Sequence, residues 1–173
     1  LFRSIDYEKF AFADDRSTWT ATSPNWIAFL RELATALHAD GRILTVAVPP
    51  IYDTGRTRDS GYWVYDYASM GDIVDRIRIM AYDYSLSSPG PIAPLDWVRT
   101  AVRAAKDAVD DDTVLWLGVP LYGRNWVVGT TGVCPEGTPG RVDPNLHEVA
   151  GLVERYGIES TTLDPLTGDE SFV

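Results

Sequence analysis

Asp6 and Glu8 stand two residues apart in the segment Ser4-Ile5-Asp6-Tyr7-Glu8. On an extended strand, residues i and i+2 leave the same face, so this spacing brings two carboxylates together with Ser4 beneath them. At the end of a strand that opens into a water-poor mouth, mutual repulsion and desolvation would keep one of the pair protonated near neutral pH. That is the form a general acid requires. The same pattern also describes two solvated carboxylates at a strand end, and spacing alone does not separate the two.

The other residues able to do chemistry are fewer. Trp63 and Trp126 lie in predicted loops after strands, where an indole either stacks on a ligand or packs, while Trp26 and Trp97 fall on predicted helices and read as packing. His38 and His147 each sit on a helix without a second metal ligand, and His38 is favoured there by the helix dipole. Met80 reads as core filling, and Asp110-Asp111-Asp112 as a solvated helix end. The single cysteine, Cys134, excludes an internal disulfide and a cysteine-built zinc site. In its Gly/Pro-rich loop it is either unpaired or pairs with a cysteine outside this sequence, as would suit an exported protein. The sequence has no Walker loop, dinucleotide glycine fingerprint, nucleophile elbow or His pair at metal spacing.

Alternating elements must position these groups. A short strand within the first block ends in the carboxylates. Ser23-Pro24 supplies a cap and a first-turn proline for a helix carrying Ile27, Leu30, Leu33, Ala34 and Leu37, which Gly41 stops. Ile43 to Val48 is an apolar, β-branched run bounded by Asp40-Gly41 and Pro49-Pro50, predicting a strand buried on both faces. Strands follow at Ile77 to Tyr82 and at Val114 to Val119, the latter also predicted to be buried. Between them Trp97, Val98, Ala101, Val102, Ala105 and Val109 mark a helix. This succession predicts an α/β fold with a parallel sheet. From Gly129 to Arg141 the composition shifts to Gly, Thr and Pro. A helix from about Leu146 to Tyr156 and an extended Ser160 to Leu163 then predict a small α+β elaboration.

The chain has 173 residues, 45% hydrophobic and 23% charged, enough to bury a core. Its 15 Lys+Arg against 25 Asp+Glu give a formal net charge of -10, which disfavours nucleic acid or an anionic membrane as partner. No apolar run approaches the ~20 residues of a membrane span, and no signal peptide is recognisable. A first residue Leu1 rather than Met reads as a processed chain or a cut piece.

Ser4-Ile5-Asp6-Tyr7-Glu8 resembles the end of the Asp-Gly-x-Asp-x-Asp-x-Glu motif on the fourth barrel strand of glycoside hydrolase family 18, the chitinase family. Three further stretches resemble that family in the same order. They are Tyr65-Asp66-Tyr67-Ala68 leading to Asp75-Arg76, then Met80-Ala81-Tyr82-Asp83, then Gly118-Val119-Pro120-Leu121-Tyr122-Gly123-Arg124. The loop from Pro89 to Trp97 is most similar to the bacterial branch with spore-cortex and peptidoglycan-type members. The resemblance implies a (β/α)8 TIM barrel of ~250 residues, here a partial barrel holding strands four to seven. Residues 1–128 would be the partial catalytic domain and 129–173 a loop and small α+β insertion-like region. An open half-barrel exposes strand edges, so this segment alone is expected to be inactive.

The resemblance further implies retaining, substrate-assisted hydrolysis of β-1,4 bonds in N-acetylglucosamine-containing glycans, chitin or peptidoglycan-like. Glu8 would be the general acid, Asp6 would orient the substrate acetamido N–H, and Tyr82 would hydrogen-bond the acetamido oxygen. Asp83, Tyr122, Arg124, Trp126 and Trp63 would contact substrate. Ser4 stands where the family carries its second Asp, and Leu1 and Phe2 where it carries its first Asp and Gly. Losing the carboxylate at Ser4 bears on pH profile and rate more than on the class of activity. The alternative is a chitinase-like lectin, since the family includes non-catalytic sugar binders. Those usually lose the Glu or its partner Asp, and both are present here. A third possibility is an α/β scaffold with incidental carboxylates. The expected partner is a polysaccharide or oligosaccharide, with no cofactor, no metal, no nucleic acid and no membrane span, in an extracellular or cell-envelope setting and as a monomer at full length.

Overall fold

A computed structural model describes residues 2–129, 132–133 and 135–172, so Leu1 and the lone Cys134 lie outside the described residues. Contacts divide the chain into two compact units, Leu1–Ala81 with Val98–Gly118, and Tyr82–Trp97 with Val119–Val173.

The first unit is built on a four-stranded parallel sheet in chain order, β1 (Phe2–Asp6), β2 (Ile43–Val48), β3 (Arg76–Ile79) and β4 (Leu115–Leu117). Its helices are α1 (Lys9–Phe12), α2 (Trp19–Ala39), α3 (Tyr67–Gly71) and the larger part of α4 (Leu95–Ala108). This is the predicted βα succession. β2 pairs on both sides, Asp6 opposite Ala47 on one and Ile79 opposite Val48 on the other. Leu44, Val46 and Val48 are wholly buried, which explains the unbroken apolar run. Trp19, Leu30, Val64, Tyr65, Met70, Ile77 and Ile79 complete the core.

Three expectations are corrected. Helix α2 begins at Trp19, and Pro24 lies inside it rather than at its first position. Asp15 caps the preceding 3₁₀ turn by accepting from the Ser17 N–H at 2.8 Å, and the buried Trp19 draws one more turn into the core than Ser23-Pro24 suggests. The proline removes only the bond that its missing N–H would give the Thr20 carbonyl. The predicted last strand is shorter, and Trp116 and Leu117 are exposed because β4 pairs with β3 alone among the described residues. The first strand ends at Asp6, so Glu8 is off it, at the N-cap of α1.

Asp75 ties α2 to the sheet. Its backbone N–H donates to the Leu44 carbonyl (3.0 Å), while its carboxylate accepts from the Leu44 N–H (2.7 Å) and pairs with His38 Nε2 (2.8 Å). His38 is thus structural, through a specific partner. Between β2 and the next turn, the chain reverses at Gly61, whose positive φ of 78° brings it onto Pro50. A Cβ there would sit 2.7 Å from the Pro50 carbonyl oxygen.

The second unit has two small antiparallel pairs, β5 (Asn125–Trp126) with β6 (Arg141–Val142) and β7 (Thr162–Leu163) with β8 (Glu170–Ser171), and one helix, α5 (Val149–Tyr156). A capping box between Asn145 and Glu148 starts the turn that leads into α5. The loop after Tyr82 is tied to the tail, since the Ile92 N–H donates to Asp169 (3.2 Å) and the Leu95 N–H to the Thr167 carbonyl (3.1 Å).

Burial pushes the Asp75 carboxyl up, but the bonds from His38 and Leu44 outweigh it and hold it below the usual carboxylate range. The folded chain therefore takes up this proton less readily than the unfolded one. The contact's stabilisation is full above pH ~4 and is lost as pH falls through the lower folded value. Asp75→Asn is expected to cost about 1–3 kcal/mol at pH 7 and to flatten the acid limb of stability against pH, measured by urea unfolding across that range.

Candidate active site

The predicted site residues fall in both units, each of which holds one group. In the first, Asp6 closes β1 and is exposed, while Glu8 is half-buried. The Glu8 carbonyl accepts from the Ala11 N–H (2.9 Å) and the Phe12 N–H (3.2 Å), so the first turn of α1 anchors its backbone. Beneath this segment lies an aromatic cluster. The Tyr7 ring stacks on Trp26 at 6.5 Å, and Phe10 lies 5.3 Å from Trp26 and 5.1 Å from Tyr65. The Tyr65 hydroxyl donates to the Tyr7 carbonyl at 3.1 Å. Burial, and then the negative charges of Glu8 and Asp6, push the Tyr65 phenol well above its ordinary value, so both carboxylates act on one buried hydroxyl.

Trp63 is apart from the carboxylates. It opens a 3₁₀ turn, meets Trp19 edge-on at 5.4 Å, and has the Arg56 guanidinium 5.9 Å from its ring. It lines an open cleft of about 340 Å³ with Asp53, Arg56, Asp66 and Asp107, which neither Asp6 nor Glu8 lines. Asp66 adopts a positive φ of 50°, caps α3 through Ser69 and pairs with Arg56 at 3.4 Å.

In the second unit, Tyr82, Asp83, Tyr122 and Arg124 come together. Asp83 sits at a positive φ of 62°, and its Oδ1 accepts from both the Tyr122 hydroxyl and the Arg124 guanidinium. Tyr82 meets Tyr122 edge-to-face at 6.4 Å. The Arg124 side chain is only 4% exposed and reaches Asp143 at 3.5 Å, which in turn holds Arg141 at 3.0 Å. Burial pushes the Tyr122 phenol up, and Asp83 adds to this more than Arg124 takes away. Trp126 is half-buried on β5, its indole N–H enclosed without a hydrogen-bond partner among the described residues. Sequence reasoning missed Asp143 and the hydroxyl of Tyr65. The first had a signal in the alternating charges of Arg141 and Asp143; the second lies 58 residues from its acceptor.

Asp6 ends its strand at the edge of the sheet where β3 also ends, three residues before Tyr82, the edge at which parallel barrels carry their chemistry. A model of glycosyl hydrolases family 18 matches residues 5–163. The chain belongs to that family.

Among the relatives of this family-18 chain, the Bacillus subtilis (strain 168) protein YdhD, whose name assigns it only provisionally as a sporulation-specific glycosylase, is 36% identical over 129 residues. The match covers 72% of this chain and 27% of that protein. The cortical fragment-lytic enzyme of the same organism is 30% identical over 116 residues, covering 65% of this chain and 26% of the enzyme. The chain thus spans about a quarter of the length of these curated relatives. A solved chitinase structure from Chromobacterium violaceum ATCC 12472 superposes with a TM-score of 0.74 at 26% identity, over 96% of this chain and 47% of that one. The four parallel strands are therefore part of the family's TIM barrel. No helix among the described residues is long and apolar enough to cross a membrane.

The buried guanidinium makes the second group testable. Among the described residues, removing the Asp83 carboxylate would leave Arg124 the longer contact to Asp143 and the Tyr122 ring 5.7 Å away. Asp83→Ala in this family-18 chain is expected to cost about 1–3 kcal/mol, read as a lowered thermal midpoint.

Proposed function

We propose that the protein is a retaining, substrate-assisted hydrolase of β-1,4 bonds in N-acetylglucosamine-containing glycans, chitin or peptidoglycan-like. The observation that carries this is the retained carboxylate pair, Asp6 at the end of a parallel strand and Glu8 on the helical turn that follows, its backbone carbonyl held by two N–H groups. The names of its relatives, a cortical fragment-lytic enzyme and a chitinase, support both substrate options.

In this reading Glu8 donates its proton to the glycosidic oxygen. The substrate's own acetamido carbonyl oxygen attacks the anomeric carbon as the bond to the leaving sugar breaks, giving an oxazolinium ion. Asp6 accepts the acetamido N–H and stabilises the positive charge. Tyr82 donates to the acetamido oxygen. Glu8, now ionised, takes a proton from the water that opens the oxazolinium ring at the same face, with net retention. Asp83, Tyr122, Arg124, Trp126 and Trp63 are the proposed substrate contacts. The setting that fits these substrates is extracellular or the cell envelope.

The deciding assay uses the chain within its full natural polypeptide, on chitooligosaccharides and on peptidoglycan. Glu8→Gln keeps the shape of the side chain and removes its proton chemistry. It is expected to lower turnover by roughly 100- to 10,000-fold, with folding intact by circular dichroism. Equal cleavage by the two proteins would sink the assignment of Glu8, and glycan binding without any turnover by the natural sequence would favour the lectin reading.

A further inference from the structure

We propose that Tyr65 is the positioning residue of the Asp6–Glu8 pair, holding the peptide unit that carries Glu8 through the hydrogen bond from its hydroxyl to the Tyr7 carbonyl. The proposal rests on Glu8 as proton donor for its kinetic consequence, and on geometry alone for the clamp.

The Tyr7 carbonyl belongs to the same planar peptide as the Glu8 N–H, so a bond to that oxygen fixes the plane from which the Glu8 side chain departs. On the other side of Glu8, its own carbonyl is held by the N–H groups of Ala11 and Phe12. Glu8 is therefore gripped from both flanking peptides. Only one grip comes from its own neighbours, and α1, four residues long, is too short to persist without tertiary support. The other comes from Tyr65, 58 residues away in sequence. β1 offers no further hold here, because its last paired residue is Asp6, opposite Ala47.

Tyr65 suits such a task because it cannot yield. It is wholly buried, its N–H donates to the Tyr62 carbonyl at 3.2 Å, and its ring is wedged between Phe10 at 5.1 Å and Trp26 at 5.6 Å. The turn carrying it is set by the Gly61 reversal, where the Tyr62 N–H donates to the Pro50 carbonyl at 3.1 Å. Glu8, Asp6 and Tyr62 are the titratable groups whose charge acts on its hydroxyl. Each disfavours the phenolate, so the hydroxyl remains a donor to a carbonyl that can only accept.

Tyr65→Phe deletes the clamp and keeps the ring. In the full natural polypeptide, with Glu8→Gln as the inactive control, kcat is expected to fall roughly 10- to 100-fold with KM little changed, as misplacement of a reacting group predicts. A general packing defect would instead lower the thermal midpoint and spare that split. In this chain, the Tyr7 carbonyl and Glu8 amide resonances should shift in Tyr65→Phe while those of β2 hold. A natural-sequence enzyme that is active, is silenced by Glu8→Gln and is untouched by Tyr65→Phe would overturn the proposal. If the natural sequence shows no turnover, the hydrolase reading fails and the resonances decide the clamp by themselves, an unmoved Tyr7 carbonyl refuting it. If Tyr65→Phe does not fold, the Tyr65 hydroxyl proton of the natural sequence serves. Slow exchange with a cross-peak to the Glu8 amide supports the clamp, and free exchange overturns it.

Discussion

Burial of β2 on both faces and along both edges is the constraint on which the first unit depends. A strand so enclosed cannot slip by one residue without driving Leu44, Val46 and Val48 into the packed space that the smaller Ala47 and Thr45 fill on its other face. Its register therefore passes to its neighbours. Asp6 stands where it does because it lies opposite Ala47, and β3 ends where it does because Ile79 lies opposite Val48. The carboxylate pair and the exit toward Tyr82 are both measured from one apolar strand that contributes no chemistry.

The two units are held in different ways. The first is apolar burial reinforced at a few points, of which the Asp75 link to Leu44 and His38 is the most specific. The second has little core. It relies on short antiparallel pairs and on a charged chain running from Asp83 through Arg124 to Asp143 and Arg141. Such a network is costly to leave half-made, because an enclosed guanidinium without its carboxylate keeps the desolvation penalty and loses the attraction.

Periodicity made the first unit legible. β2, α4 and most of α2 follow from apolar spacing, and the parallel order of strands follows from the alternation of elements. Where the reading failed, a local signal competed with a tertiary one. Ser23-Pro24 is a sound start for a helix, yet burial of Trp19 outweighs it and costs one backbone bond. The run from Val114 reads as buried because it is apolar, but burial needs a neighbour, and among the described residues β4 has one only on the side of β3. The alternation Asp6-Tyr7-Glu8 looks like continuing strand, while the bonds from Ala11 and Phe12 turn Glu8 into a helical cap. Of the candidate site, the residue types were legible through the family resemblance, and their partners were not. Nothing local to Tyr7 announces a hydroxyl arriving from Tyr65.

The hydroxyl of Tyr65 carries one more consequence. Its bond to Tyr7 survives only while the phenol keeps its proton, so a solvated tyrosine in that role would release the backbone in alkali. Here burial and the two carboxylates raise the phenol together. The charge whose placement depends on the clamp, that of Glu8, helps with Asp6 to keep it closed, and the hold on Glu8 becomes harder to titrate away the more fully the pair beside it is ionised.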